Sequence, residues 1–380
     1  MSKIFVKLLV LLVFLFQFQA FAASKYTFLP YGRIKTTTLY SDHLLNSFSY
    51  INLSAPTSAG TDVGFPFPNQ NEWSFQVAQS RFGSDITYED VFANLEFDFI
   101  DFSVSSPTTE AKPRLRRAFV GFKLDSKNQI QMGQDWDTFS PFIPTILDYV
   151  GLYFGAGNVG FMRQQLKWKS TQGKVISELS LGLPGKNPGP AVNETELKST
   201  PALAYRLSYG DLGLSFYYSR LNKGGLGQLD VNGGNVFLKT FLTPSLQLTS
   251  ELYAGQNMND AGLLSISHIV SGKSLKEYGG YLTMTYLNKI LGDFNINYGL
   301  AKLTNPEDAG DYNYDTATKK ITEDAITFNQ IVRLYWNKKI KEGLSFVLEL
   351  SHFDTERKFG VNDFRTQKGF STEAGLILVF

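Results

Sequence analysis

The chain has 380 residues, a formal net charge of +1 and no cysteine. The balanced charge argues against nucleic-acid binding, and the absence of cysteine excludes disulfides and thiolate metal sites. The length suits one large domain or two ordinary ones. Aromatic residues are abundant, with 32 Phe and 19 Tyr, and Gly is frequent at 33.

The N-terminus has the pattern of a secretory signal peptide. Two lysines precede an apolar run over residues 8–16, and Ala20 and Ala22 provide the small residues of a cleavage site. Polar residues after the run make it too short for a membrane anchor. We therefore expect residues 1–22 to be removed after export, with cleavage near Ala22, and residues 23–380 to form one domain.

From residue 31 onward the dominant hydrophobic period is two. Apolar residues alternate with polar or small ones, in segments close to the ~9–11 residues that cross a bilayer as a tilted strand. The alternating segments are 31–41, 73–83, 90–101, 116–124, 129–136, 161–170, 174–183, 202–209, 212–221, 235–242, 246–256, 277–287, 294–304, 325–337, 344–353 and 370–380. We predict about sixteen strands, an even number, as single-chain bacterial barrels require.

The connections between these segments alternate between short and long. The long ones are 42–72, 102–115, 137–160, 184–201, 222–234, 257–276, 305–324 and 354–369. Outer-membrane barrels have this asymmetry, whereas a soluble sandwich has no reason to keep every second connection short. The sequence therefore predicts an all-β transmembrane antiparallel barrel.

The alternation also predicts which charged residues face the inside of the barrel. Cations expected there are Arg33, Lys35, Arg117, Arg163, Lys167, Arg206 and Arg333. Acids expected there are Glu96, Asp98, Asp135, Glu178, Glu251 and Glu349. The facing of Arg114 and Arg116, near the end of their strand, is left open.

The second segment is unusual. If Arg81 faces inward, the outward set is Gln76, Ala78, Ser80 and Phe82, which suits lipid poorly. Contact with another subunit would explain polar residues there. A β-bulge that changes the facing within the segment is the alternative.

Several motifs resemble those of Gram-negative porins. They are the SRFG of residues 80–83, the RAFVGF of residues 117–122 and the MGQDWDTF of residues 132–139. The LDYVG of residues 147–151 and the FMRQQLKW of residues 161–168 resemble the DcaP-like branch of porins in particular. The resemblance is good over residues 73–170.

This resemblance implies a trimer of sixteen-stranded barrels whose third outer loop folds into the pore. Residues 137–160 are the third long connection in the sequence. Porins of this kind carry arginines on one wall and acids on the loop, which implies a pore constriction formed by Arg81, Arg117, Arg163, Lys167, Asp135, Asp137 and Asp148. Asp137 and Asp148 belong to the loop, opposite the arginines. Such a wall either favours anions or pairs charges for structure alone, and both interpretations stay open.

The expected function is passive diffusion of small hydrophilic solutes through an outer-membrane porin, with anions such as small carboxylates favoured in one interpretation. Alternatives are a barrel enzyme, an adhesin or a substrate-specific channel. His43, His268 and His352 lie in unrelated segments without a nucleophile motif, so we expect no enzyme, cofactor or metal site. The expected partners are other copies in a homotrimer, outer-membrane lipid and lipopolysaccharide, and the solutes.

Overall fold

A computed structural model describes most of the chain after its N-terminal segment. The described residues are 26–43, 71–77, 79–99, 113–147, 153–183, 200–222, 227–267, 273–311, 313–315, 320–323 and 326–380. The predicted signal peptide lies outside them, as does most of the connections 42–72, 102–115 and 184–201.

The described residues form an almost entirely β structure. The strands are β1 Thr27–Ser41, β2 Glu72–Gln76, β3 Arg81–Tyr88, β4 Val91–Asp98, β5 Arg114–Lys123, β6 Asn128–Trp136, β7 Met162–Gln172, β8 Val175–Gly182, β9 Ala202–Tyr209, β10 Leu212–Asn222, β11 Gln228–Thr243, β12 Leu246–Gln256, β13 Lys276–Tyr286, β14 Asp293–Leu303, β15 Asn313–Asp315, β16 Lys320–Glu323, β17 Ile326–Lys341, β18 Leu344–Gly360 and β19 Asp363–Val379. Two 3-10 turns, Met258–Ala261 and Pro306–Asp308, are the helical elements of this part of the chain. Neither these nor any other described residues make a helix able to span a membrane.

The main sheet closes on itself as an antiparallel barrel. Strand positions that follow one another in the chain pair with each other, and β1 pairs with β19 in a register that runs from Arg33↔Val379 to Ser41↔Ser371. Because β2 and β3 share the second position and β15 and β16 form a separate hairpin, the barrel has sixteen strand positions. The predicted sixteen-stranded barrel is confirmed. Closure leaves no unpaired edge, as a sheet in hydrocarbon requires.

Alternate residues of each strand face outward and inward, as the period of two predicts. Large apolar side chains are exposed on the outer face, for example Val120, Met132, Phe216, Leu252 and Ile296. Inward positions are mostly buried and many are polar or charged. An apolar outside and a polar inside are typical of barrels that lie in a membrane.

The second strand is broken, which corrects the predicted facing of its residues. β2 and β3 pair with different halves of β1, and Lys35 lies opposite the break. The Oγ of Ser80 accepts a hydrogen bond from the Lys35 backbone N–H at 3.1 Å, replacing the missing strand partner. Gln76 and Ser80, predicted to face outward, are buried, and Trp73 and Phe75 are exposed instead. Phe82 is exposed as predicted, and Ala78 lies outside the described residues. The two polar residues that had suggested a subunit contact, Gln76 and Ser80, therefore do not face outward.

Two of the predicted long connections are largely strand. β11 begins at Gln228, within the predicted connection 222–234. β18 and β19 continue through the predicted connection 354–369 and meet at a two-residue turn, where Asn362 has a φ of 60°. Hairpin pairing satisfies the backbone groups of these segments beyond the core of the barrel, so a loop was the wrong prediction for both.

Substitution of an outward side chain by arginine should cost stability in a depth-dependent way. Val236, 55% exposed, lies in the middle of β11, whereas Leu212, 53% exposed, begins β10 beside a turn. In lipid vesicles, Val236→Arg should lower the free energy of unfolding by about 2–4 kcal/mol and Leu212→Arg by about 0–1 kcal/mol. Denaturant titration measures both, and equal costs would contradict the assigned membrane depth.

Candidate functional site

The connection between β6 and β7 lies inside the barrel, and we call its described residues, 137–147 and 153–161, the inner loop. Its first part contacts inward side chains of β10, β11 and β12. The carbonyl oxygen of Phe139 accepts hydrogen bonds from Ser215 and, at 3.0 Å, from Asn235. The carboxylate of Glu251 accepts the Phe142 backbone N–H at 2.6 Å. The loop therefore begins against the wall opposite β1–β4.

A second set of contacts holds the loop near Leu147. Asn297 on β14 donates to the carbonyl of Thr145 at 3.2 Å. Glu349 on β18 accepts the Leu147 N–H at 2.6 Å, and the Lys35 ammonium donates to the Leu147 carbonyl at 2.5 Å. Both backbone groups of Leu147 are thus bound by the wall, on the two sides of the β19 position. The first part of the loop follows the wall from β10 round to β1.

The returning part of the inner loop packs over β13, β14 and β17. The Tyr153 ring stacks on Tyr281 with centroids 6.3 Å apart, and Asn329 donates to the Gly155 carbonyl at 3.0 Å. Gly157 has a φ of +117°, and a Cβ there would lie 2.1 Å from the Gly280 carbonyl oxygen. Only glycine permits this approach of loop to wall.

Asp137 stabilises the start of the inner loop and also lines a cavity beside it. Its carboxylate accepts the backbone N–H groups of Phe139, Ser140 and Phe161, at 2.9, 3.2 and 3.2 Å. Burial raises the pKa of Asp137, although Arg163 and these amides favour its charged form. Asp148, the other loop acid predicted to oppose the arginines, lies outside the described residues.

A second outer segment, residues 257–267, packs against the inner loop. The Leu264 N–H donates to the Val159 carbonyl at 3.1 Å, and the Gly155 N–H donates to the Leu264 carbonyl at 2.9 Å. Together with β9–β12 they enclose an apolar cluster, which we call the filled side. It consists of Phe139, Val159, Ala202, Ala204, Tyr217, Leu221, Val231, Tyr253, Met258, Ala261 and Leu263.

Arg163, predicted to line the pore, lies at the filled side. It is 7% exposed. Its guanidinium donates to the carbonyls of Leu183 and Ala261, at 2.5 and 2.7 Å, and lies over the Tyr217 ring at 5.3 Å. In the described structure, Arg163 thus bonds to two outer connections. It lines neither of the two cavities that border the inner loop.

Opposite the filled side, the inner face of β1–β8 carries many cations, and we call it the basic wall. A first cavity of about 150 Å³ separates this wall from residues 143–147 of the inner loop. Four cationic side chains line it, and no acid does so in the described part of the chain. They are Arg33, Lys35, Arg81 and Arg116.

Arg116 joins this group because of a β-bulge. Glu96 pairs with Arg117 and Phe97 pairs with Leu115, so Arg116 is an extra residue in its strand. Arg116 and Arg117 consequently both point into the barrel, where strict alternation allows one of them. Sequence alternation cannot reveal such a bulge, although the closely spaced arginines of residues 114–117 are its one visible sign.

The cations of the first cavity differ in how far they are neutralised. Arg116 Nε lies 2.6 Å from Glu96 Oε1, and Lys35 Nζ lies 2.8 Å from Glu373 Oε1. Within the described residues, neither Arg33 nor Arg81 has an acidic oxygen within 4.0 Å. Among the described residues, the charges of Arg33 and Arg81 are therefore not offset by an ion pair.

A second cavity of about 220 Å³ lies along β5–β9, on the other side of Trp136 and Ile143. Asp135 lies between two cations there, 2.9 Å from Arg117 Nε and 3.4 Å from Lys167 Nζ. Glu178 is bound in the same way by Lys169 and Arg206. Thus, of the seven residues predicted for the constriction, five line the two cavities, namely Arg81, Arg117, Lys167, Asp135 and Asp137.

The described residues provide no other candidate for chemistry. They contain no cluster of acids or histidines able to hold a metal. His352 Nε2 lies 3.8 Å from Asp354 Oδ1 but is half exposed. Its neighbour Phe353 is buried, so this pair lies on the outer face of β18.

Comparison with known proteins identifies the fold. No protein-family model and no curated sequence matches the chain. The outer membrane channel DcaP of Acinetobacter baumannii is similar in structure, with a TM-score of 0.66 and 13% identity over 93% of this chain and 97% of that one. OprB of Pseudomonas putida has a TM-score of 0.56 and 10% identity over 93% and 94%. An anion-selective porin from Comamonas acidovorans has a TM-score of 0.55 and 11% identity over 93% of this chain and 100% of that one. The chain has the barrel fold of outer-membrane porins, as its motifs predicted.

The anchoring of the inner loop predicts what happens when its carboxylate partners are lost. Glu251→Ala and Glu349→Ala each leave a loop N–H without its acceptor, which costs about 1–3 kcal/mol. We expect cleavage within residues 139–147 to become at least about tenfold faster in limited proteolysis. Thr249→Ala, on the same inward face of β12, is the control. Unchanged cleavage in both glutamate variants would show that other contacts hold the loop.

Proposed function

We propose that this protein is an outer-membrane porin through which small hydrophilic solutes diffuse passively, with a preference for anions such as small carboxylates. The observation that carries this proposal is the charge around the two cavities. Eight cationic and three acidic side chains line them. Even with Glu96, Asp98 and Glu373, which pair with cations of the basic wall, cations outnumber acids by eight to six.

Charge of one sign in a narrow bore attracts ions of the other sign, and low-dielectric walls strengthen the field. Arg33 and Arg81 would contribute most, because no ion pair in the described structure offsets their charge. Their planar guanidinium groups suit carboxylates. Arg117, Lys167 and Asp135 would form a second, more nearly neutral stretch of the same path.

The proposed location is the bacterial outer membrane, after export and cleavage near Ala22. The apolar outer face of the barrel and the similarity to outer-membrane porins support it. The proposed assembly is a homotrimer surrounded by outer-membrane lipid and lipopolysaccharide, as the porin-like motifs imply. Asp148 remains a predicted residue of the constriction. Asp137 would line the path while holding the inner loop, and Arg163 would act by holding the inner loop in place.

A transport role fits the site better than catalysis. His43 bonds to the neighbouring Asp42 just beyond the end of β1, and His352 lies on the outer face of β18. Neither pair borders a cavity. We therefore propose that the protein is not an enzyme.

Ion selectivity tests this proposal. Purified protein in a planar bilayer should form channels, and a KCl gradient should give a reversal potential that indicates anion preference. Replacing Arg33→Gln and Arg81→Gln together should lower the anion-to-cation permeability ratio by a factor of about two or more, since the unneutralised charges are lost.

The control is Arg220→Gln. Arg220 is 46% exposed on the outer face of β10 and pairs with Asp230. This control should leave the reversal potential unchanged. A wild-type protein that prefers cations, or a double variant with unaltered selectivity, would refute the role given to the basic wall.

A further inference from the structure

We infer that Ile143 and Trp136 form an apolar constriction between the two cavities and set the size limit of the path. This inference rests on the proposed channel function. In the described structure they are the two residues common to both cavities. Trp136 ends β6 on the basic wall, and Ile143 belongs to the facing inner loop. The two cavities therefore adjoin at this pair, which places it on the proposed path between them.

The backbone around Ile143 is held firmly. It lies in the sequence Pro141-Phe142-Ile143-Pro144, where each proline fixes its own φ and Pro144 keeps Ile143 extended. Glu251 binds the N–H on one side of Ile143, and Asn297 binds the Thr145 carbonyl on the other. The side chain remains 48% exposed. A branched apolar side chain is thus presented to the bore on a rigid support.

Trp136 is held equally well from the wall. Its carbonyl accepts hydrogen bonds from Gln165 and Lys167, at 2.7 and 2.9 Å. Its ring packs beside the apolar cluster that contains Phe154 and Phe161, and Arg116 lies over the ring at 5.4 Å. Since both sides of the constriction are fixed, its width is set by the two side chains more than by loop motion.

The two basic cavities and the apolar pair between them have separate effects on a solute in the proposed channel. The cations on either side attract anions, whereas Ile143 offers an ion no ligand and acts through its bulk and its poor hydration. The size limit for solutes should therefore depend on Ile143, and the sign of the preferred ion should depend on Arg33 and Arg81. Residue 143 could be enlarged or reduced without changing the charge of the path.

Single-channel conductance tests this assignment. Ile143→Ala should raise conductance in KCl by at least about 1.3-fold, and Ile143→Val should give a smaller increase. Ile143→Trp should lower conductance by about half or more. All three should keep the wild-type sign of the reversal potential. Ile290→Ala is the matched control, since Ile290 is 79% exposed in the turn between β13 and β14, away from both cavities.

The possible results separate the two proposals. If the wild-type protein forms no channels, the proposed function fails. If it forms channels whose conductance is the same in Ile143→Ala and Ile143→Trp, the function stands and the constriction is elsewhere. A change in Ile290→Ala as large as in Ile143→Ala would also overturn the assignment. Opposite changes in conductance in Ile143→Ala and Ile143→Trp support the assignment. If either variant assembles poorly, Ile143→Val is the mildest substitution that still tests it.

Discussion

The backbone of a loop inside a barrel must find hydrogen-bond partners, because a buried, unpaired N–H or C=O costs free energy comparable to a lost hydrogen bond. The wall provides these partners as inward side chains. Asn235, Asn297 and Asn329 donate to loop carbonyls, and Glu251 and Glu349 accept loop N–H groups. They lie on five different strands, so the loop is fixed along an arc of the barrel. The position of the open path depends on this arrangement.

Because the inner loop follows the wall from β10 round to β1, the free space lies on the other side, against the basic wall. Residues 257–267 add to this asymmetry by packing on the loop and burying Met258 and Leu263. Apolar packing closes one side of the bore, and charged side chains line the other. In the proposed channel, the same contacts that stabilise the loop would bring solutes close to Arg33 and Arg81.

Much of the barrel could be predicted from alternation alone. The predicted segments 202–209 and 246–256 coincide with β9 and β12, and Lys35 and Glu349 face inward as predicted. A prediction from alternation requires an unbroken strand, and the predicted facing of side chains was wrong where a strand is broken or bulged. The break before Arg81 put Ser80 on the inner face, and the bulge at Arg116 brought a second arginine inward.

The candidate site was less predictable, because it depends on contacts between residues far apart in the chain. Glu251 was predicted to be an inward acid, yet nothing in the sequence pairs it with Phe142, 109 positions away. Arg163 was expected at the pore because it matches a porin motif and alternates inward together with Lys167. It contacts Leu183 and Ala261 in two outer connections, and the alternation of strand residues gives no information on how those connections pack.

The most direct test of this account is cysteine accessibility in the open channel, which the cysteine-free sequence makes clean. Gln129 lines the second cavity on the basic wall, and Val231 lies within the filled side. A negatively charged thiol reagent should reduce the current through Gln129→Cys and leave Val231→Cys unaffected. Block at Val231→Cys without block at Gln129→Cys would contradict the claim that solutes follow the basic wall.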